Sequence, residues 1–135
     1  MHDEGKKQGI IVAQENVFNH ASQDPEFLKK MKVFMGNDFH MVLDIKQIHR
    51  AQHDLDDFLP CFAPNVVHVH ISDNNKHETC LPPGAGTFDF LKLFKMMNDC
   101  HYSGSYIIEL YRENYQEYDE LKLSYNYLNK LLNLC

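Results

Sequence analysis

Residues 66–71 read Val66-Val67-His68-Val69-His70-Ile71, and Ser72-Asp73-Asn74 follow. The β-branched composition and the two-residue alternation make this a strand, with His68 and His70 on one face. Three more stretches of the same kind surround it. Gly9-Ile10-Ile11-Val12-Ala13-Gln14-Glu15 is a nearly continuous apolar run, the pattern of a strand covered on both faces. Phe39-His40-Met41-Val42-Leu43-Asp44 precedes the central stretch, and Ser105-Tyr106-Ile107-Ile108-Glu109-Leu110 follows it.

Helical periodicity fills the intervals. Asp24-Pro25-Glu26 reads as a helix start, with Asp24 as N-cap and Pro25 in the first helical position. That helix continues through Phe27, Leu28, Met31, Phe34 and Met35 and stops at Gly36. Asp54 to Phe62 reads as a short helix interrupted near Pro60. A long polar turn, Ser72 to Gly86, contains Pro82-Pro83-Gly84-Ala85-Gly86 and leads into a helix from about Phe88 to Cys100. Phe90, Leu91, Phe94 and Met97 share one face of it. The last helix covers about Tyr118 to Leu134, with Leu121, Tyr125, Leu128 and Leu132 at helical spacing. Phe and Met at such spacings are core packing against a sheet. Strand and helix alternating at about 30-residue intervals is the signature of βαβ units and a parallel sheet.

Composition narrows the class. The 135 residues are 44% hydrophobic and 24% charged, which is globular and not disordered. No apolar run approaches the ~20 residues of a membrane span, and the first residues, MHDEGKKQG, lack the apolar core of a secretory leader. The formal net charge of −6 argues against nucleic acid as the main partner, because phosphate binding needs a basic surface. Cys61, Cys80, Cys100 and Cys135 form no C-x-x-C pair, so neither a zinc knuckle nor a thioredoxin motif is expected. Reduced thiols and a cytoplasmic location follow as the expectation.

Each expected strand ends in a polar residue able to bind metal: Glu15, Asp44, His70 and Glu109. In parallel α/β folds the carboxyl ends of strands are where sites assemble. Alternation puts Ile11, Ala13 and Glu15 on one face of their strand. It does the same for His40, Val42 and Asp44, and for Ser105, Ile107 and Glu109. Three carboxylates and an imidazole suit Mn²⁺, Mg²⁺ or Co²⁺, with Zn²⁺ possible, and leave positions open for substrate. Taken singly, an acidic residue at a strand end is a helix cap or a solvated side chain. Four at equivalent positions argue for one shared site.

The segments Glu15-Asn16-Val17-Phe18, Leu43-Asp44-Ile45-Lys46-Gln47, His68-Val69-His70-Ile71-Ser72-Asp73-Asn74, Leu81-Pro82-Pro83-Gly84-Ala85-Gly86 and Ile108-Glu109-Leu110-Tyr111 occur in that order. With them the chain resembles the sugar phosphate isomerase/epimerase family, the xylose isomerase-like TIM barrels, over nearly its whole length. The resemblance implies an α/β fold of the (β/α)₈ barrel type, with residues 1–135 as the C-terminal half, strands five to eight. It implies one divalent metal ion on Glu15, Asp44, His70 and Glu109. It also implies proton transfer on a sugar or sugar phosphate through an enediolate, with Glu15 and Glu109 removing and returning the proton.

The chain departs from the family pattern in places. Gln47 stands where many members carry a histidine. It can hydrogen-bond a sugar hydroxyl but cannot titrate. Cys80 replaces a loop histidine and reads as a buried, inert thiol, with a reactive thiol or soft ligand as the alternative. Ala85 replaces a glutamate between the loop glycines. Lys46, Arg50 and Arg112 could bind a substrate phosphate or carboxylate, or could be solvated surface charges. His68, one layer below His70, reads as a barrel-interior residue.

A complete barrel needs ~250 residues. Four βα units make half of one, starting inside the helix before strand five, and such a half exposes two sheet edges and an apolar inner face. Pairing with another copy or with an N-terminal half is the expectation. Two other functions compete: a nuclease related to apurinic endonucleases, which needs extra zinc-binding histidines, and an inactive fragment or assembly piece.

Overall fold

The computed structural model describes residues 2–135. Its elements are α1 (His2–Lys7), β1 (Gln14–Glu15), α2 (Pro25–Met35), β2 (Met41–Asp44), α3 (Ile45–Arg50), α4 (Leu55–Phe62), β3 (Val66–Ile71), α5 (Phe90–Asp99), β4 (Ser105–Ile108) and α6 (Tyr118–Leu132). The strands form one parallel sheet in the order β1-β2-β3-β4. This is the α/β half-barrel arrangement expected of the alternating pattern, with helices flanking four parallel strands.

Period-two alternation divides the sheet into two unlike faces. Met41, Leu43, Val69 and Ile71 are buried, with Tyr106 and Ile108 packed beside them. Opposite them lie Leu28 of α2, Phe58, Leu59 and Phe62 of α4, Phe90, Leu93, Phe94 and Met97 of α5, and Leu128 of α6. On the other face Val42, His68 and His70 are half-buried, and Ile107 is 49% exposed. The apolar core therefore sits between sheet and helices, and the inner face is open.

Several expected boundaries shift. The first strand shrinks from seven expected residues to Gln14–Glu15, and Ile10 and Ile11 are 61% exposed. β1 is an edge strand, and its ladder begins only where its one partner does, with Gln14 opposite Met41. β2 starts at Met41 rather than Phe39, and β4 stops at Ile108. Glu109 nevertheless continues the ladder, its N–H donating to the Ile71 carbonyl at 2.9 Å.

Helix α3 follows Asp44 directly and was not expected. Asp44 caps it by accepting from the Gln47 N–H. Pro60 does not interrupt α4, which runs through it to Phe62. In so short a helix, ended two residues later, the proline forfeits one backbone bond, and the apolar face of α4 is held by the core. Asp54 caps that helix in a reciprocal box with Asp57.

Phe27 and two further side chains expected in the core lie outside it. Phe34 of α2 is 90% exposed and Tyr125 of α6 is 62% exposed. α2 packs through Leu28 and meets α4 on one side only, and the buried stripe of α6 runs through Ser124 and Leu128. Phe94→Ala should cost about 3–5 kcal/mol of stability, whereas Phe34→Ser should stay within about 0.5 kcal/mol of wild type. Urea unfolding of the two variants measures the contrast.

Candidate metal centre

The four strand-end residues meet. One ligand atom from each of Glu15, Asp44, His70 and Glu109 lies within 4.8 Å of all the others. Parallel register is the cause: Asp44 stands opposite His70, and His70 opposite Ile107, two residues before Glu109. Same-face side chains on neighbouring strands are then adjacent.

Asp44 is held from behind, and the segments beside it are tied to one another. The Asn16 side chain makes two bonds to the backbone of Asp44, accepting from its N–H at 2.8 Å and donating to its carbonyl at 3.0 Å. Asn16 thereby extends the β1–β2 pairing past the strand ends and fixes the separation of Glu15 and Asp44. Asp44 Oδ1 is occupied by the Gln47 N–H, leaving Oδ2 to face the cluster. The Gln47 side chain accepts from the Phe18 N–H at 3.1 Å, tying α3 to the segment after β1. His68 meets the His70 ring edge-on at a centroid distance of 5.0 Å, inside the barrel face as expected.

The electrostatics ask for a cation. His70 Nδ1 lies 3.4 Å from Glu109 Oε2, 3.7 Å from Glu15 Oε1 and 3.8 Å from Asp44 Oδ2. The last two spacings are too long for hydrogen bonds. They suit ligands of one ion: donors about 2.1 Å from a common centre stand about 3 Å apart at right angles and about 4.2 Å apart when opposite. Asp44 Oδ2 and His70 Nδ1 are both buried without a hydrogen-bond partner. Burial pushes the Asp44 carboxyl up to about 7; the Lys46 charge pulls it down and the neighbouring Glu15 pushes it up. A divalent ion would satisfy the two orphaned atoms and relieve the crowded charge, so the residues fit the group.

The other expected site residues are placed unevenly. Lys46 is not a surface charge: its side chain is 4% exposed, and Nζ lies 2.9 Å from Glu109 Oε2 and 3.4 Å from Asp44 Oδ2. Burial opposes its charge, but the Glu109 bond and the two carboxylates hold it above the usual lysine range. Glu109 is held below the usual carboxylate range: burial acts against this, and the Lys46 bond and charge outweigh it. Arg50 is exposed, its guanidinium 5.9 Å from the centre of the Tyr111 ring. Arg112 is turned to its own loop, donating to the carbonyls of Tyr115 and Gln116 and resting on the Tyr115 ring. It does not join the cluster. Cys80 is buried, as expected, with its thiol pushed up by burial and its Sγ 3.8 Å from the Glu109 carbonyl.

A model of the xylose isomerase-like TIM barrel family matches residues 2–131. The chain belongs to that family. Among solved structures, this xylose isomerase-like chain aligns with a D-tagatose 3-epimerase-like protein at 20% identity and a TM-score of 0.77, covering 98% of this chain and 51% of that one. A xylose isomerase domain protein from Alicyclobacillus acidocaldarius gives 21% identity, a TM-score of 0.77 and coverages of 98% and 54%. The 3-keto-D-glucoside 4-epimerase of E. coli, in its apo form, gives 21%, 0.74, and coverages of 96% and 49%. The xylose isomerase-like chain thus spans about half the length of these TIM-barrel proteins, and at such identity the matches speak for fold. No curated protein matches it.

One residue of the site region went unassigned in the sequence. Asp73 is 1% exposed, and its carboxylate accepts four backbone N–H groups, those of Asn74, Gly84, Gly86 and Phe88, at 2.8–3.0 Å. Its own backbone exchanges two bonds with Leu81. The polar turn is thereby folded back over the strand ends, placing Cys80 against Glu109. A side chain on Gly86 would collide with Asp73 and the Asn74 carbonyl, so only glycine fits there. The signal was the carboxylate just before a loop rich in glycine. Asp73→Ala should cost about 2–4 kcal/mol, because it orphans charge-assisted bonds. Unfolding in urea and faster proteolytic cutting between residues 75 and 88 report the loss.

Proposed function

We propose that the chain is the metal-binding part of an isomerase or epimerase that moves a proton at a carbon next to the carbonyl of a sugar or sugar phosphate. The observation that carries this reading is the convergence of Glu15, Asp44, His70 and Glu109 on one point, with two buried donor atoms left unsatisfied. Family membership and the epimerase neighbours support it. A divalent ion (Mn²⁺, Mg²⁺, Co²⁺ or Zn²⁺) would be held by those four side chains and would supply positive charge to polarise the substrate's oxygens. Glu15 ends the first strand of the sheet and Glu109 follows the last, which supports a reading in which their carboxylates flank a substrate. One takes the proton from carbon to give the enediolate, and the other returns a proton. Asp44, nearly fully buried, and His70 serve binding more than proton transfer. Gln47 and Arg50, on the helix that follows Asp44, are the nearer candidates for substrate hydroxyls or an anionic group, with Arg112 further out. The four free thiols accord with a cytoplasmic enzyme, and no helix among the described residues is long and apolar enough to cross a membrane.

The open inner face belongs to the same proposal. Val42, His68 and Ile107 line it, and β1 and β4 end the sheet without outer partners. A second half-barrel, from another copy or an N-terminal half, would cover it and complete the pocket wall. Sedimentation at micromolar concentration should find assembly; a well-folded monomer would sink the pairing.

Two measurements test the function. Purified protein should carry one divalent ion per chain, and Glu15→Gln should lose it; three zinc ions would favour nuclease chemistry instead. With ketoses in deuterated water, carbon-bound hydrogen should exchange, and Glu109→Gln should slow the exchange by about 10²-fold or more. No exchange across a broad set of ketoses would defeat the reading.

A further inference from the structure

Lys46 is the only lysine buried among the described residues. It is placed with two different partners at once. Its Nζ faces Glu109 Oε2 at 2.9 Å and Asp44 Oδ2 at 3.4 Å, and it stands 4.7 Å from the centre of the Tyr111 ring. Ile45 and Ile48 of the same short helix are in the core, which fixes the direction in which α3 aims this side chain. An ammonium has three donors. One donates to Glu109, the Asp44 carboxylate lies beside it as an ion pair, and the Tyr111 ring offers an aromatic face, a favourable seat for a cation. Its hydrogen bond goes to Glu109 and its charge faces Asp44, so its immediate surroundings are those of a counter-ion to the two carboxylates.

We infer that Lys46 is a built-in counter-cation of the ligand cluster, which holds Asp44 and Glu109 together when no metal is bound and lowers the cluster's affinity for a divalent ion. The formal charges support both halves. When all are ionised, Glu15, Asp44 and Glu109 bring three negative charges to one place. Asp44 is 1% exposed, so water does little to screen it. Breaking a buried pair by removing one partner leaves an uncompensated charge, which is far more costly than losing a surface pair. Lys46 reduces the cluster to two net negative charges, the number a single divalent ion cancels.

The same ammonium opposes the incoming ion. It sits beside Oδ2 of Asp44 and Oε2 of Glu109, two of the three carboxylate oxygens that face His70 Nδ1 in the cluster's interior. At such distances two positive charges repel appreciably even with strong screening. The resulting site binds its ion more weakly than three carboxylates and a histidine would alone. The affinity half of the inference rests on the metal reading above; the stability half does not.

The test uses the full chain and four forms of it: wild type, Lys46→Met, Glu109→Gln and the double variant. Thermal melts in chelator measure the metal-free protein, and Mn²⁺ titration followed by electron paramagnetic resonance measures affinity. Lys46→Met should melt lower than wild type, and adding Glu109→Gln should return much of that loss, a coupling that simple packing would not show. Lys46→Met should bind Mn²⁺ about tenfold or more tightly than wild type. If Lys46→Met fails to fold, a folded double variant supports the counter-cation and an unfolded one overturns it. A defect that Glu109→Gln does not relieve, or Mn²⁺ affinity that is equal or weaker in Lys46→Met, overturns the inference. Should wild type bind no Mn²⁺, the metal reading fails, and the melts alone still decide whether Lys46 compensates the carboxylates.

Discussion

Everything at the open end of this sheet follows from the parallel ladder between β2, β3 and β4. Asp44 is opposite His70, and the Glu109 N–H completes the pattern on the Ile71 carbonyl. With strands about 4.8 Å apart, acidic side chains on one face of successive strand ends cannot avoid each other. The other face of the same ladder is sealed by Phe58, Phe90, Leu93 and Phe94, so the strands cannot slide to relieve the repulsion. A one-residue slip would also turn Leu43 and Val69 out of the core. The hydrophobic face therefore sustains the electrostatic strain on the polar face. Stability and chemistry are two sides of one register.

That constraint explains why the residues around the cluster are bonded so fully. Asn16 takes both backbone groups of Asp44, Gln47 takes the Phe18 N–H, and Asp73 takes four amides of the loop above. None of these makes a ligand bond of its own. Each removes a way in which a ligand-bearing segment could move, which is what a site with crowded charge needs. All of them come from the same four βα units. The cluster is thus defined within half the length of the barrels this chain resembles, while the wall facing it is not.

The period-two pattern was enough to read the sheet, its parallel order and the four strand-end residues that converge, because alternation and turn residues are local signals. Three things escaped for physical reasons. The first strand looked buried on both faces because Ile10 and Ile11 are apolar, yet apolarity does not tell an edge strand from a central one. Phe34 and Tyr125 have helical spacing but lie past the rim of what the sheet covers. Lys46 looked like a surface charge or a substrate contact because charge is normally solvated. Its burial depends on the unexpected helix α3, whose first turn Asp44 caps. The missed helix and the unforeseen burial of Lys46 have one cause: without α3 there is no reason for residue 46 to turn back toward residue 44.

The placement of Lys46 also bears on what the pocket can hold. A lysine free to meet a phosphate would make a charged substrate attractive. Here the ammonium is committed to Asp44 and Glu109, and Arg112 is committed to carbonyls of its own loop. Arg50 remains, exposed and poised over Tyr111. Three ionised carboxylates and one lysine leave two negative charges, which the divalent ion proposed above would cancel. A neutral site has no net attraction for a second anion, yet it stabilises negative charge that develops on a substrate oxygen close to the cation. Under the proposed function, such a balance would suit an uncharged sugar at the reacting carbon, with Arg50 left to meet a substrate anion.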